Sequence, residues 1–247
     1  MTILMTVQYD GTSYNGWQRQ RNTSSTIQEI LENSLEKRLG MFHPLISAGR
    51  TDAGVHALAM PCSFPCQKPR VPVENLPQAL NSLLPPDIRV TGAKAVPDDF
   101  DPILCAISKT YCYQLDNSAV ANVFERRYSW HIHKYLDTMS MRAAAAHFVG
   151  THDFKAFCAS GGSAKTSVRT IFALDVEQIG DMVVLSVTGS GFLYNMVRII
   201  TGTLVDVGLG KSLPSDILPI ILSLDRKKAG QTAPASGLTL VRVVYGD

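Results

Sequence analysis

With 247 residues, 45% of them hydrophobic and 18% charged, the chain can bury one large core or two modest ones and is too apolar for a disordered polymer. No apolar run approaches the roughly 20 residues of a membrane span, and Met1-Thr2-Ile3-Leu4 opens a strand pattern without the basic start of a signal peptide, so a soluble cytoplasmic protein is expected. Net charge is only +2, with 9 basic and 10 acidic residues up to Leu104 and 14 and 11 after it, which permits an RNA partner without demanding one.

Thr2 to Tyr9 alternates, with Ile3, Met5, Val7 and Tyr9 on one face, and predicts a strand ending at the Asp10-Gly11 turn. Ser25 to Gln28 can form a capping box, and Ile27, Ile30, Leu31, Leu35 and Leu39 mark the core-facing stripe of a helix that ends at Gly40. A second helix is expected over Glu74 to Leu83, before Pro85-Pro86, and extended chain over Ile88 to Val96. The pattern then begins again. Tyr111, Tyr113 and Leu115 alternate, as do Tyr128, Trp130 and Ile132, and Asp137 is placed to cap a helix carrying Met141, Ala145 and Phe148. Strands over Val168 to Val176 and Met182 to Val187 flank a Gly180-Asp181 hairpin turn. Helices over Tyr194 to Val207 and Ser215 to Ser223 and a final strand over Leu238 to Val244 complete the chain. Helices alternate with strands too irregularly for a doubly wound parallel sheet, so the expected class is α+β with mainly antiparallel sheet, in two parts, residues 1–104 and 105–247.

Five cysteines, Cys62, Cys66, Cys105, Cys112 and Cys158, are an odd number and argue for reduced thiols rather than a disulfide framework. Cys62 and Cys66 lack a second pair at zinc-ligand spacing, and His131 and His133 on one face of a strand read better as surface or half-buried histidines than as ligands, so no metal is expected. Gly208-Leu209-Gly210-Lys211-Ser212 superficially suggests a phosphate-binding loop. That motif needs a glycine where Val205 stands, and a strand directly before it, so nucleotide hydrolysis is excluded.

Gly49-Arg50-Thr51-Asp52-Ala53-Gly54-Val55-His56 sets one carboxylate between two glycines, with a guanidinium two residues upstream. Such a loop can present a carboxylate rigidly at a cleft, or Asp52 can simply be a turn aspartate bonding its own backbone. Arg50 to His56 resembles the signature of the tRNA pseudouridine synthase A family, whose members isomerise uridines of the tRNA anticodon stem-loop. Tyr9-Asp10-Gly11-Thr12-Ser13-Tyr14-Asn15-Gly16-Trp17-Gln18-Arg19-Gln20 is similar to that family's opening strand and loop, and Leu84-Pro85-Pro86-Asp87-Ile88 to its Leu-Pro-x-Asp-Ile segment. Phe192-Leu193-Tyr194-Asn195-Met196-Val197-Arg198 and Thr232-Ala233-Pro234-Ala235-Ser236-Gly237-Leu238 resemble its two C-terminal signatures. The matches are collinear and span nearly the whole chain.

The resemblance implies two related α+β halves facing a central catalytic cleft, a homodimer, no metal and no organic cofactor. It implies that Asp52 is the catalytic aspartate, either attacking the target nucleotide or assisting removal of a ribose proton, and that Tyr111 contacts the substrate. Read as sequence alone, Tyr111 is a half-buried core residue. Arg198 interrupts an apolar helix; it either snorkels to water or, as the resemblance favours, partners Asp52. Leu240 resembles the family residue that walls the base. Arg50 can occupy the space left by an extruded base or bind phosphate, and His56 can position the same loop. Arg19, Arg21, Lys68, Arg70, Arg126, Arg127, Lys165 and Arg169 are candidate phosphate contacts.

Three departures bear on RNA rather than on chemistry. Where the family commonly shows Phe-His-Ala-Arg-Phe-Ser-Ala, this chain has Phe100-Asp101-Pro102-Ile103-Leu104-Cys105-Ala106; Cys112 stands where arginine is frequent, and Met60-Pro61 replaces Gln-Val. The expectation is an active enzyme with altered tRNA affinity or target choice. The rival from another class is a noncatalytic tRNA-binding or tRNA-folding protein on the same scaffold.

Overall fold

The computed structural model describes residues 1–67, 69–162 and 164–246, and the chain divides into two units, Met1–Ile107 with Thr239–Asp247, and Ser108–Leu238. Among the candidate phosphate contacts, Lys68 lies outside the described residues.

In the first unit the alternating N-terminal segment forms β1 (Thr2–Tyr9), with Ile3, Met5 and Val7 fully buried. Helix α1 (Ile27–Leu39) buries Ile27, Leu31, Leu35 and Leu39, and stops at Gly40, whose φ of 81° is open to glycine at little steric cost. Its N-cap is Thr26, accepting from the Glu29 amide at 3.4 Å, rather than the Ser25 of the expected capping box. Gln28 is unavailable for such a box because its amide turns inward to Glu32 Oε1 (2.9 Å) and the Leu45 carbonyl (3.1 Å). The short β2 (Ile46–Ser47) leads into β3 (His56–Pro65), and both β1 and β2 pair antiparallel to β3. The helix expected over Glu74 to Leu83 is shorter: a single 3-10 turn at Val73–Asn75, then α2 (Leu76–Asn81), which has Pro77 in its first turn. Strand β4 (Ile88–Val96) closes the other side of β1, also antiparallel.

All but the first two residues of β5 (Ala106–Asp116) belong to the second unit. The alternation at Tyr128, Trp130 and Ile132 yields only a two-residue strand, β6 (Trp130–His131), parallel to the end of β5. The reason lies at Asp116, 2% exposed. Its carboxylate accepts from the Ser118 hydroxyl, the Ser118 amide (3.1 Å) and the Asn122 amide (2.9 Å), and so gathers the chain before β6 into turns. Burial by itself would raise the Asp116 pKa; the bonds from Ser118 and Asn122 and the nearby His131 outweigh it and hold the carboxyl below its usual range. A depressed folded pKa stabilises the fold above the unfolded value and is lost as pH falls through the folded one. Asp116→Asn is therefore expected to lower the melting temperature at pH 7, with the deficit shrinking below about pH 4. Thermal melts of both proteins from pH 7 to 3 check this; a deficit independent of pH would assign the loss to packing.

Asp137 caps α3 (Thr138–Ala146) through the Met139 and Ser140 amides, as its position before the helix predicts. Strand β7 (Gly150–Asp153) pairs with β8 (Val168–Ile179), and β8 with β9 (Met182–Gly189), all antiparallel, the hairpin turning at Gly180 with φ 60°. Val183, Leu185 and Val187 of β9 alternate inward. Helix α4 (Met196–Gly208) is buried over nearly its whole circumference, and its Thr201 and Thr203 hydroxyls return to the Val197 and Ile199 carbonyls at 3.0 and 2.8 Å. A short α5 (Ile217–Ser223) follows. The last strand, β10 (Leu238–Tyr245), is parallel to β3, with Thr239 opposite His56 and Leu240 opposite Ala57. The class is α+β with mainly antiparallel sheet. Among the described residues no helix is long and apolar enough to cross a membrane.

Candidate active site

Asp52 is half-buried at the start of a tight turn: its carbonyl accepts from the Val55 amide at 3.1 Å, and Gly54 takes φ 80°. A β-carbon at the third residue of such a turn would be strained, which explains the glycine. The turn is held by a second loop, residues 10–17. The Tyr9 and Thr51 hydroxyls share a hydrogen bond of 2.7 Å, the Trp17 amide donates to the Thr51 carbonyl at 3.0 Å, and the Gly54 amide reaches the Tyr14 carbonyl at 3.4 Å. Gly16, at φ 87°, lies so close that a β-carbon on it would stand 2.7 Å from the Thr51 oxygen; one on Gly11 would stand 2.0 Å from the Val55 oxygen.

The holding loop is itself anchored. The Ile27 and Gln28 amides at the start of α1 donate to the Gly16 and Trp17 carbonyls, at 3.2 and 3.0 Å. Tyr14 donates its hydroxyl to Asp87 at 2.6 Å, and the Asp10 amide donates to the Asp87 carbonyl at 3.0 Å. Burial and the Asp87 carboxylate both push the Tyr14 pKa up, so the hydroxyl keeps its proton. These bonds give the Leu-Pro-Pro-Asp-Ile segment a physical role as the clasp of the loop that grips Asp52. His56 is buried, 3% exposed, with Nδ1 3.0 Å from the Gly11 amide and 3.1 Å from Asp10 Oδ1. The Gly11 amide donates to Nδ1 and so ties the ring to the loop that grips Asp52.

Arg50 is exposed beside this turn, and Leu240, 1% exposed, lies on β10 opposite Ala57, five residues past Asp52. In the second unit Tyr111 is half-buried on β5 and meets Phe192 edge-on, ring centroids 5.3 Å apart. Arg198 sits in the first turn of α4, its Nε donating to the Ala233 carbonyl (2.7 Å) and a terminal nitrogen to Asn195 Oδ1 (2.7 Å). Asn195 tolerates its φ of 59° as few other residues would. The Ala233 amide returns a bond to the Arg198 carbonyl at 3.1 Å, and the Tyr113 hydroxyl donates to the Pro234 carbonyl at 2.8 Å. Thus the Thr232 to Leu238 segment orients the arginine. Sequence reasoning missed Tyr9, Gly16, Trp17 and Asp87 as supports of Asp52, because hydroxyl pairs and close backbone approaches leave no periodic signal.

Asp101 forms a local turn, accepting from the Ile103 and Leu104 amides at 2.6 and 3.1 Å and leaving Leu104 83% exposed. Lys211 of the rejected phosphate-loop motif pairs with Asp206 at 2.9 Å. Among the described residues no group of three or more His, Cys, Asp or Glu side chains is placed to hold a metal ion.

A mixed α+β chain with a rigidly clasped aspartate on a Gly-Arg-Thr-Asp-Ala-Gly loop fits a class of RNA-modifying enzyme. A family model described as tRNA pseudouridine synthase matches residues 5–103 and 144–246. The chain belongs to the tRNA pseudouridine synthase family. It is 49% identical over 243 residues to a tRNA pseudouridine synthase A of Geotalea daltonii, covering 98% of this chain and 99% of that one. It is 45% identical to a tRNA pseudouridine synthase A of Thermoanaerobacter sp. over the same shares, and 44% identical to a tRNA pseudouridine synthase A 2 of Clostridium perfringens, again over 98% and 99%.

Proposed function

We propose that this protein isomerises uridine to pseudouridine in tRNA, at positions 38 to 40 of the anticodon stem-loop. The observation that carries the reading is Asp52, clasped by a whole second loop in a chain that belongs to this family. The reaction breaks the N1 to C1′ bond, rotates the uracil and rejoins it through C5, without redox change or energy input. One well-held carboxylate suffices, acting either as the nucleophile or as the group that assists removal of a ribose proton. Arg198 is the proposed countercharge keeping Asp52 ionised. Tyr111 offers a ring face for the extruded base and a hydroxyl for proton relay, and Leu240 supplies an apolar wall. Extruding a stacked base costs a few kcal/mol, and Arg50 helps by filling the vacated space or holding a phosphate.

A cytoplasmic homodimer without metal or organic cofactor belongs to the same proposal. The relatives compared give no support to a noncatalytic RNA-binding protein. With Asp101 and Ile103 where the family commonly carries a histidine and an arginine, tRNA affinity and its salt dependence should be lower than in relatives that keep those cations. The test is pseudouridine mapping on unmodified tRNAs at low salt. Product at positions 38 to 40 is expected; no product on any tRNA overturns the reading.

A further inference from the structure

Residues 229–234 form a strap without regular secondary structure, between the 3-10 turns Arg226–Lys228 and Ala235–Gly237. The half-buried Arg226 reaches forward over it. One of its terminal nitrogens donates to the Ala229 and Gly230 carbonyls at 3.2 and 2.9 Å, the other to the Thr232 hydroxyl at 3.1 Å. The turn that carries Arg226 is capped by Asp225, whose carboxylate accepts from the Lys227 amide at 2.9 Å. The strap lies directly on α4: the Gly230 amide donates to Thr203 Oγ1 at 2.9 Å, and a β-carbon on Gly202 would stand 1.9 Å from the Gln231 carbonyl oxygen. One residue past Thr232, Ala233 and Arg198 exchange bonds in both directions, the Arg198 Nε donating at 2.7 Å and the Ala233 amide donating back at 3.1 Å.

The three acceptors of Arg226 are uncharged, so the guanidinium supplies geometry to them rather than charge. A planar fork of donors ties three points of an irregular segment at once. Ala229 is buried, and its carbonyl without a donor would carry the cost of an unsatisfied polar group. The cheapest relief is to lift the strap towards water. Lifting displaces Ala233, the acceptor that sets the direction of the Arg198 Nε–H. Asn195 Oδ1 would still hold a terminal nitrogen of Arg198, so the guanidinium would pivot about that bond.

We propose that Arg226 is a positioning residue for the reaction: it clamps residues 229–232 onto α4 and, through Ala233, fixes the direction of the Arg198 guanidinium. Its effect on rate rests on the reading of Arg198 as the countercharge of Asp52. Arg226 itself touches no reacting group in this role, and it acts on the chemical step rather than on RNA affinity.

The test first follows hydrogen exchange of the Arg198 Nε–H by NMR, its resonance assigned by its loss in Arg198→Lys. Exchange should be about tenfold or more faster in Arg226→Met than in the unaltered protein. Thr232→Val, which removes one acceptor and is the milder change should the Met variant fail to fold, should speed it by a smaller factor. Asp137→Ala loses a helix cap in the same unit and reads what destabilisation alone does; its Arg198 exchange should match the unaltered protein. Unchanged exchange in the Arg226 and Thr232 variants, or an equal rise in Asp137→Ala, overturns the clamp. The second arm measures single-turnover pseudouridine formation and binding of an unmodified anticodon stem-loop RNA. Arg226→Met should slow the rate about 10- to 100-fold at unchanged affinity, and should add no loss in an Arg198→Met background. Losses that multiply, or a slow Arg198→Met beside a fast Arg226→Met, overturn the positioning role alone. Faster exchange with full rates in both the Arg226 and Arg198 variants sinks the countercharge reading of Arg198 and leaves the clamp standing.

Discussion

Asp52→Ala is expected to reduce pseudouridine formation by about 10⁴-fold or more, the scale on which enzymes lose rate when a covalent nucleophile is removed. That corresponds to at least about 5 kcal/mol of lost barrier reduction. Binding of the anticodon stem-loop should survive, because phosphate contacts carry most of that affinity and Asp52 contributes none. The fold should survive as well: the turn is made by the Asp52 carbonyl and its neighbours' amides, which alanine keeps. Single-turnover assays with matched binding curves separate the effects. Activity above about one percent would remove Asp52 from the nucleophile role.

Gly11→Ala should damage the site without touching a reacting group. The new β-carbon would stand 2.0 Å from the Val55 carbonyl oxygen and 2.7 Å from its carbon, and the obstacle is backbone, which cannot rotate aside as a side chain can. Overpacking usually costs about 1 to 3 kcal/mol, and a backbone obstacle belongs at or above the upper end. The cheapest relief is separation of residues 10–17 from the Asp52 turn, which also loosens the Gly11 to His56 bond of 3.0 Å. A melting temperature lower by several degrees, with kcat falling more than RNA affinity, is expected. Gly92→Ala is the matched control, because its β-carbon would meet nothing within 4 Å. Equal loss in both variants would show that the close approach at Gly11 is unimportant.

Local features of the fold were legible in the sequence. The alternation of β1, the apolar stripe of α1 with its glycine stop, the Asp137 cap and the β8–β9 hairpin each rest on residues close together in the chain. Misreadings came where two local options competed. Thr26 took the cap that Ser25 also offered, and the Asp116 carboxylate drew residues 118 and 122 into turns that left only two residues of the expected strand. The parallel pairing of β10 with β3 was invisible, since no period in either segment encodes a partner so far away. At the site, Gly54 announced the Asp52 turn. Its clasp by Tyr9, Gly16 and Trp17 was hidden, and the roles of Tyr111, Arg198 and Leu240 were suggested by family resemblance, which periodicity could not have supplied.

The parallel pairing of β10 with β3 also sets a clock. The edge of β3 next to the Asp52 turn, at His56 and Ala57, receives its partner from Thr239 and Leu240, about 180 residues later in the chain. A ribosome adding roughly 5 to 20 residues per second leaves that edge open for something like ten to forty seconds. For that time β2 covers only the far end of the same edge, at Cys62 and Ser63. A nascent chain therefore carries its catalytic loop beside an unsatisfied strand edge, a template for pairing with another chain. Slow translation or premature termination before residue 239 should yield aggregation rather than a partly active fragment, and the loop matures only once Thr239 and Leu240 have been made.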